Sequence, residues 1–266
     1  MARTYALRRM LASGMGKDVA AYDVIGLGYA TWRRPDRRIA SGLQEALGDC
    51  RRVINVGAGT GSYEPADREV IAVDPSRAMI AQRPPAMAPC IQAAAEVLPF
   101  PDDCFDAALA ILTIHHWQRL VAGLAELNRV AVSRRIVLTW DQRVMENDFW
   151  LLRDYLPGLG RRLRATAVPV DHVAELIGAD VILPVPIPDD CTDGFFGAYW
   201  RRPSLYLDHR VRSAISAFAL AEVEHYREGL ARLDADLRSG AWHRRYGDLF
   251  DVSTYDLGYR LVVAAN

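Results

Sequence analysis

The sequence predicts an α/β fold in which a mainly parallel, doubly wound sheet is covered by helices on both faces. Short apolar segments rich in β-branched residues alternate, over the first half of the chain, with segments whose apolar residues recur at helical spacing. The first of these apolar segments also runs directly into "VGAGTG" (residues 56–61), a glycine-rich turn typical of a strand-to-helix connection. Together these patterns favour parallel strands joined by helical crossovers.

The elements of the first half follow in order. Residues 37–47 are predicted to form a helix that ends at Gly48, because glycine is common just beyond the last turn of a helix. Four segments have the consecutive apolar positions expected of parallel strands that are covered on both faces: "VINV" (53–56), "EVIAVD" (69–74), "FDAALAIL" (105–112) and "RRIVLTW" (134–140). Before the last of them, apolar residues at helical spacing predict a helix: Leu120, Leu124, Leu127 and Ala131.

The second half is less regular. "NDFWLLRDYLPGLG" predicts a helix closed by Pro157 and Gly158, and "VILPVPIP" (181–188) predicts a late strand broken by prolines. "DLGYRLVVAA" (256–265) is predicted to close the chain as an antiparallel strand. Between them, one apolar stripe predicts a core-packing pair of helices from Leu207 to Leu237: Val211, Ile215, Phe218, Tyr226, Leu230, Leu233 and Leu237.

Composition excludes several classes of partner. The chain has 266 residues, of which 51% are hydrophobic and 24% charged, and its net charge is −1. A nucleic-acid-binding protein would normally be basic, and no apolar run is long enough for a membrane span or a secretory signal. The four cysteines are widely spaced, so we expect no metal site and no disulfide framework, and a cytoplasmic protein.

The glycine turn indicates a nucleotide-like ligand. Gly57, Gly59 and Gly61 form G-x-G-x-G, whereas the dinucleotide fingerprint needs a sixth-position glycine where this chain has Ser62. Asp74 ends the second predicted strand, where a carboxylate can accept hydrogen bonds from both hydroxyls of a ribose. This end of a parallel sheet is where ligands bind. The turn alone leaves the cofactor open.

The surrounding motifs narrow the choice. "VINVGAGTG", "AVDPS" and "AAAEVLPFPDDCFDAALAILTIHHW" occur in this order, and residues 18–141 resemble the class I S-adenosylmethionine (SAM)-dependent methyltransferases. The likeness is greatest to their small-molecule branch, which is similar to the quinone-biosynthesis methyltransferases. It implies a Rossmann-like fold, SAM as cofactor, and methyl transfer to an N, O or C atom of a small acceptor such as a secondary metabolite, quinone precursor or aromatic.

The resemblance also implies residue roles. Ala58 and its flanking glycines Gly57 and Gly59 would lie against the methionine part of SAM, and Asp74 would hold the ribose. Further cofactor contacts are implied for Tyr29, Arg33, Pro75, Ala95, Glu96 and Leu112. Tyr29 belongs to "YDVIGLGYATWRRPD", where Arg33 or Arg34 would bind the carboxylate of SAM. Members of the family often carry Asp where this chain has Ala94, so backbone, Glu96 or stacking must replace that contact with adenine.

His115 and His116 follow the third strand and are the candidate bases, since histidine titrates near neutral pH. We favour His116, which lies farther past the strand and beside Trp117. Aromatic side chains suit an apolar acceptor pocket, and we assign this role to Trp117, Phe195 and Tyr199.

The expected organisation is one domain over residues 1–266. It comprises a cofactor-binding core (18–141), a helical cap that faces the acceptor (142–256) and a closing strand (257–265). Two alternatives remain at this point: a protein of the same fold that binds SAM but acts as a cyclase or binding partner, and a nicotinamide oxidoreductase, which Ser62 disfavours.

Overall fold

The computed structural model describes residues 32–265. Its strands are β1 (Arg52–Val56), β2 (Glu69–Asp74), β3 (Cys90–Gln92), β4 (Phe105–Ile111), β5 (Ala131–Trp140), β6 (Val181–Pro184), β7 (Ile187–Pro188), β8 (Thr254–Tyr255) and β9 (Tyr259–Ala265). Its α-helices are α1 (Arg37–Leu47), α2 (Arg77–Ala81), α3 (Leu120–Val130), α4 (Gln142–Asp148), α5 (Pro157–Thr166), α6 (Val170–Ile177), α7 (His209–Ser213), α8 (Ser216–Ala219), α9 (Arg227–Arg238) and α10 (Ala241–Arg245).

The main sheet has the strand order β3-β2-β1-β4-β5-β9-β6. Strands β1 to β5 pair in parallel, and β9 is antiparallel to both β5 and β6. The predicted fold class is therefore confirmed: a Rossmann-like, mainly parallel sheet with an antiparallel C-terminal strand. The chain moves outward from β1 in one direction and then from β4 in the other, so the crevice between these two strands is the expected ligand site.

The sheet separates two apolar cores. The side chains of β1 alternate between them, with Val53 in one cluster and Ile54 and Val56 in the other. Helices α3 and α6 cover the second cluster. The first cluster continues without a break from the sheet into the residues between β5 and β9, including Trp150 and Trp200.

Two predictions for that segment are wrong. Pro157 begins a helix, α5, instead of closing one, because a proline suits the first helical position, where its missing N–H removes no hydrogen bond. The expected long helical pair is broken into α7, α8 and α9, since Ile215 and Glu222 adopt extended backbone conformations. The predicted stripe is nevertheless inside, with Val211, Phe218 and Leu233 almost fully buried.

The late strand is broken by prolines as predicted. Strand β6 ends at Pro184 on the sheet edge, where a missing N–H is tolerated, and β7 pairs with β8 in a separate small sheet. The division of the chain into core, cap and closing strand stays a prediction, and Tyr29 lies outside the described residues. Over residues 32–265, no helix has the length and apolar character needed to cross a membrane.

Candidate functional site

A cavity of about 560 Å³ lies at the carboxyl ends of β1, β2 and β4, within the usual size range of small-molecule sites. Its wall brings together the predicted cofactor residues that the structure describes: Arg33, Gly57, Ala58, Gly59, Asp74, Pro75, Ala95, Glu96 and Leu112. We call it the cofactor cavity, because these are the residues for which the sequence predicted cofactor contacts.

The glycine turn is held tightly between two strand ends. The N–H groups of Gly57 and Ala58 both donate to the carbonyl of Val73, at 2.8 and 3.0 Å. Gly57 has φ +72°, and a Cβ there would lie 2.1 Å from Thr113 Oγ1. A side chain at this position is therefore excluded by conformation and by space.

Asp74 ties this turn to the end of β2. Its Oδ2 accepts a hydrogen bond from the N–H of Gly59 at 2.7 Å, and its Oδ1 accepts one from the N–H of Ser76 at 2.8 Å. Both carboxylate oxygens lie at the carboxyl end of β2, in the wall of the cofactor cavity. The carboxylate thus shapes the wall of the cavity as well as lining it.

Asn55 is a lining residue that the sequence analysis missed. Its Nδ2 donates to Glu64 Oε1 at 3.2 Å, and Glu64 is held in a buried ion pair with Arg83 at 2.7 Å. Since Glu64 offers acceptors, the amide nitrogen of Asn55 must face it. The Oδ1 atom is buried and has no hydrogen-bond partner among residues 32–265, so a donor on a ligand would satisfy it. One polar residue within the apolar strand "VINV" was the available signal.

Glu96 stabilises the opposite wall. Its Oε1 accepts hydrogen bonds from the N–H groups of Gln118 and Arg119, at 2.8 and 3.1 Å, and so fixes the chain just before α3. Ala94 also lines the cavity, where the family often has Asp.

A second cavity of about 180 Å³ adjoins the first. Arg33, Leu112 and His116 line both. The other described lining residues are mainly apolar: His115, Trp140, Met145, Arg162, Leu163, Thr166, Phe195, Phe196, Ala214, Ile215, Ser216, Ala217, Leu220 and Tyr259. We call it the apolar cavity. Its walls come from the strand ends on one side and from α5 and α8 on the other.

Leu112 stands between the two cavities in an unusual conformation. Its φ is +51°, which is uncommon for a residue with a branched side chain, and its N–H donates to the carbonyl of Leu138 at 2.8 Å. Such conformations persist only where the surrounding structure holds them, and they concentrate at functional sites.

Of the three predicted acceptor residues, Phe195 lies on the wall of the apolar cavity. Trp117 lines the cofactor cavity instead and covers Gly123 so closely that a Cβ there would lie 2.4 Å from its ring. Tyr199 is buried in the core beneath the guanidinium of Arg202, 5.0 Å from its ring centre, and lines neither cavity. The structure therefore does not bring Trp117 and Tyr199 to the place that their predicted role requires.

His115 and His116 lie side by side, with ring centres 3.8 Å apart, and the ring of Trp140 meets His115 edge-on at 4.5 Å. Burial lowers the pKa of His116 to about 4. The pKa of His115 is well below its ordinary value, chiefly through burial, with the charges of His116 and Arg33 acting in the same direction. Both imidazoles are therefore neutral at pH 7 and can accept a proton.

Arg33 is anchored by the carboxylate of Asp193, which the sequence analysis missed. Its Nε and Nη2 atoms donate to the two carboxylate oxygens of Asp193, at 2.6 and 3.2 Å, and Asp193 is fully buried. This bidentate geometry fixes the guanidinium where the two cavities meet.

Comparison with known proteins identifies the same architecture. Residues 54–137 match the family model described as a methyltransferase domain. A crystal structure from Anabaena variabilis, described as a candidate methyltransferase from an antibiotic biosynthesis pathway, is 34% identical with a TM-score of 0.80. That match covers 88% of this chain and 99% of the other.

A more distant likeness concerns the fold alone. The geranyl diphosphate C-methyltransferase of Streptomyces coelicolor, crystallised with Mg²⁺, geranyl diphosphate and S-adenosylhomocysteine, is 14% identical with a TM-score of 0.52. The match covers 86% of this chain and 78% of that one. No protein of curated function matches the chain.

Proposed function

Because the chain belongs to the class I SAM-dependent methyltransferases, we propose that it transfers the methyl group of SAM to a small, mainly apolar acceptor bound in the apolar cavity. The observation that carries this proposal is the contact between the two cavities. They share Arg33, Leu112 and His116, so a ligand in one lies next to a ligand in the other.

We place SAM in the cofactor cavity, with its methionine part against the glycine turn and its ribose at Asp74. The fit rests on three features: a glycine-rich turn in which a Cβ at Gly57 has no room, the Asp74 carboxylate in the cavity wall, and the buried Oδ1 of Asn55. A cationic amino group is a suitable donor to that oxygen. Ala95 and Glu96 then lie at the adenine end of the cavity.

Bound SAM supplies an electrophilic methyl group on a sulfonium sulfur. The work of the chain is mainly to hold the attacking atom in line with that methyl group and to exclude water. Leu112, Phe195 and Phe196 supply apolar walls for this purpose. His116, neutral and shared by both cavities, is the residue to which we assign removal of a proton from an acidic acceptor such as a phenol.

A base with a pKa of about 4 is a weak one. We therefore assign most of the rate enhancement to alignment, with proton removal as a smaller contribution. An amine acceptor, which attacks in its neutral form, would not need the histidine.

The acceptor class follows from the cavity and from the relative. A volume of about 180 Å³ suits a small or flat molecule, and the Anabaena protein is assigned to antibiotic biosynthesis. We propose a secondary metabolite, quinone precursor or aromatic as acceptor, with no nucleic-acid partner. The four free cysteines are compatible with a cytoplasmic location.

Calorimetry and a transfer assay test the proposal together. The chain should bind SAM but not NAD, and should transfer labelled methyl from SAM to a small molecule in a cell extract. Ala217→Phe, which fills the apolar cavity, should abolish transfer and leave SAM affinity unchanged. Ala219→Phe on the same helix, away from the cavity, is the matched control. Loss of SAM binding in Ala217→Phe would show that the cavities are not separate sites.

A further inference from the structure

We propose that the acceptor carries an anionic group, a carboxylate or a phosphate ester, and that Arg162 binds it at the wall of the apolar cavity. This inference rests on the proposed function, because it takes the apolar cavity as the acceptor site. It narrows the acceptor class from small apolar molecules to small amphipathic anions.

The first argument is the charge of the lining. Arg33 and Arg162 are the arginines of the apolar cavity, and its described lining includes no Asp or Glu. Arg33 is neutralised by the bidentate pair with Asp193. Arg162 forms no ion pair within the described part of the chain, so the cavity wall carries one uncompensated positive charge.

The second argument is the way in which Arg162 is held. Its Nη2 donates to the carbonyl of Leu220 at 2.5 Å, which links α5 to the end of α8. A guanidinium has five N–H donors, so this bond leaves most of them for a ligand. Two residues farther along α5, Arg164 is different: it pairs with the carboxylate of Glu146 and lies outside the cavity.

The third argument is chemical. A guanidinium is planar and binds carboxylate or phosphate through two parallel hydrogen bonds. Apolar walls lower the local dielectric and strengthen such a pair relative to water. At about 180 Å³ the cavity is below the usual range for drug-sized ligands, about 300–1,000 Å³, so the anion must be attached to a short apolar body.

Three matched probes test this inference on the full chain saturated with S-adenosylhomocysteine: 3-phenylpropanoate, its neutral amide, and 3-phenylpropyl phosphate. The wild type should bind at least one anion about tenfold or more tightly than the amide, the effect expected of hydrogen bonds to a charged group. The tighter anion identifies carboxylate or phosphate as the recognised group. Ala217→Phe should weaken the binding of every probe, which places them in the apolar cavity.

The variant Arg162→Gln should bring the anion-to-amide affinity ratio close to one. Arg161→Gln, at the neighbouring exposed position on α5, should leave the ratio unchanged. If the bond from Arg162 to Leu220 had a purely structural role, its loss would lower the free energy of unfolding but would not change the anion-to-amide affinity ratio. Should Arg162→Gln fail to fold, Arg162→Lys keeps the charge without the planar fork and should lower the ratio without abolishing it.

Equal binding of anions and amide by the wild type, no binding of either anion, or an unchanged ratio in the Arg162 variant would overturn the inference. Binding of S-adenosylhomocysteine is measured first in the same titration. If the wild type does not bind S-adenosylhomocysteine, the proposed function is contradicted. If it binds S-adenosylhomocysteine but shows no preference for anions, only the role of Arg162 is contradicted.

Discussion

The carboxylate of Asp74 accepts backbone hydrogen bonds from Gly59 and Ser76, one on each oxygen. Asp74→Asn keeps the size of the side chain but replaces one acceptor oxygen with an NH₂ donor, which would face one of these N–H groups. We expect SAM affinity to fall by about 1–3 kcal/mol, the cost of a polar group left unsatisfied. Calorimetric titration with SAM measures it.

The matched control is Asp67→Asn, since Asp67 is an exposed acid in the loop that precedes β2. This variant should bind SAM like the wild type. Wild-type affinity in Asp74→Asn as well would show that the charge of Asp74 contributes neither to the ribose contact nor to the turn.

His116 gives a prediction on pH dependence. Ordinary histidines take up a proton near pH 6.5, but His116, with its pKa lowered to about 4, stays neutral and able to accept a proton well below that. With a phenolic acceptor, the part of the single-turnover rate that depends on His116 should therefore be unchanged between pH 7 and about 5. It should be lost only as the pH falls towards 4.

The variant His116→Ala should lower the total single-turnover rate with a phenolic acceptor about 10²-fold. This is the lower end of the range for general bases, because a weak base contributes less. His172→Ala, on the exposed surface of α6, is the control. A titration of the rate near pH 6.5 that disappears in His116→Ala would contradict the lowered pKa, and a wild-type rate in that variant would remove the base altogether.

Among single residues, the sequence predicted those whose role can be read from a short motif around them. Gly57, Asp74 and Glu96 belong to short motifs, and the structure brings them to one cavity. Arg162 and Asp193 were missed as site residues because the residues that they contact, Leu220 and Arg33, lie about 60 and 160 positions away in the sequence. Tyr199 was misplaced for the same reason, since a buried aromatic in the core and one in a pocket have the same local sequence pattern.

Among the elements, those with a repeating apolar pattern were predictable. Strands β1, β2, β4 and β9 lie where their apolar runs predicted them, because parallel strands covered on both faces bury consecutive side chains. Helix α1 ends before Gly48 as predicted, and α3 lies where the helical spacing of its leucines predicted it. The segment between β5 and β9 was predicted less well. Its short helices are stabilised by aromatic contacts that are distant in sequence, such as that between Phe149 and Phe196, 5.5 Å apart.

Trp200 joins the small β7–β8 sheet to the core. Its side chain is fully buried, its Nε1 donates to the carbonyls of Ile187 and Pro188 at 3.0 and 3.2 Å, and its ring stacks on Tyr255. Trp200→Ala should lower the free energy of unfolding by about 3–5 kcal/mol, as is typical of a deleted core aromatic. Trp200→Phe should lose less, since most of the ring is kept. Urea unfolding measures both.

The control is Phe250→Ala, an aromatic that is 48% exposed, for which we expect a change well below that of Trp200→Ala. Similar losses in the two alanine variants would mean that Trp200 does not stabilise the fold through burial.

For the molecule as a whole, the order of the sheet places the last strand of the chain between two earlier ones. Strand β9 lies between β5 and β6 and pairs with β5 from Arg134–Ala265 to Trp140–Tyr259. Its side chains enter both cores, with Leu261 in one and Val262 in the other. The residues between β5 and β9 also share one continuous core with the sheet. The C-terminal strand β9 therefore makes its main contacts with β5, which lies near the middle of the chain.

A chain shortened to residues 1–189 should accordingly fail to fold. It would lack β9, leave β5 as an unpaired apolar edge and expose the first core, which favours aggregation. Far-UV circular dichroism, the soluble fraction and SAM binding report the outcome. Supplying residues 190–266 as a second chain during refolding should restore all three signals, since it returns the missing strand without restoring the covalent connection. A soluble, SAM-binding 1–189 chain would show instead that the segment after β7 is an independent module and that β9 only covers an edge.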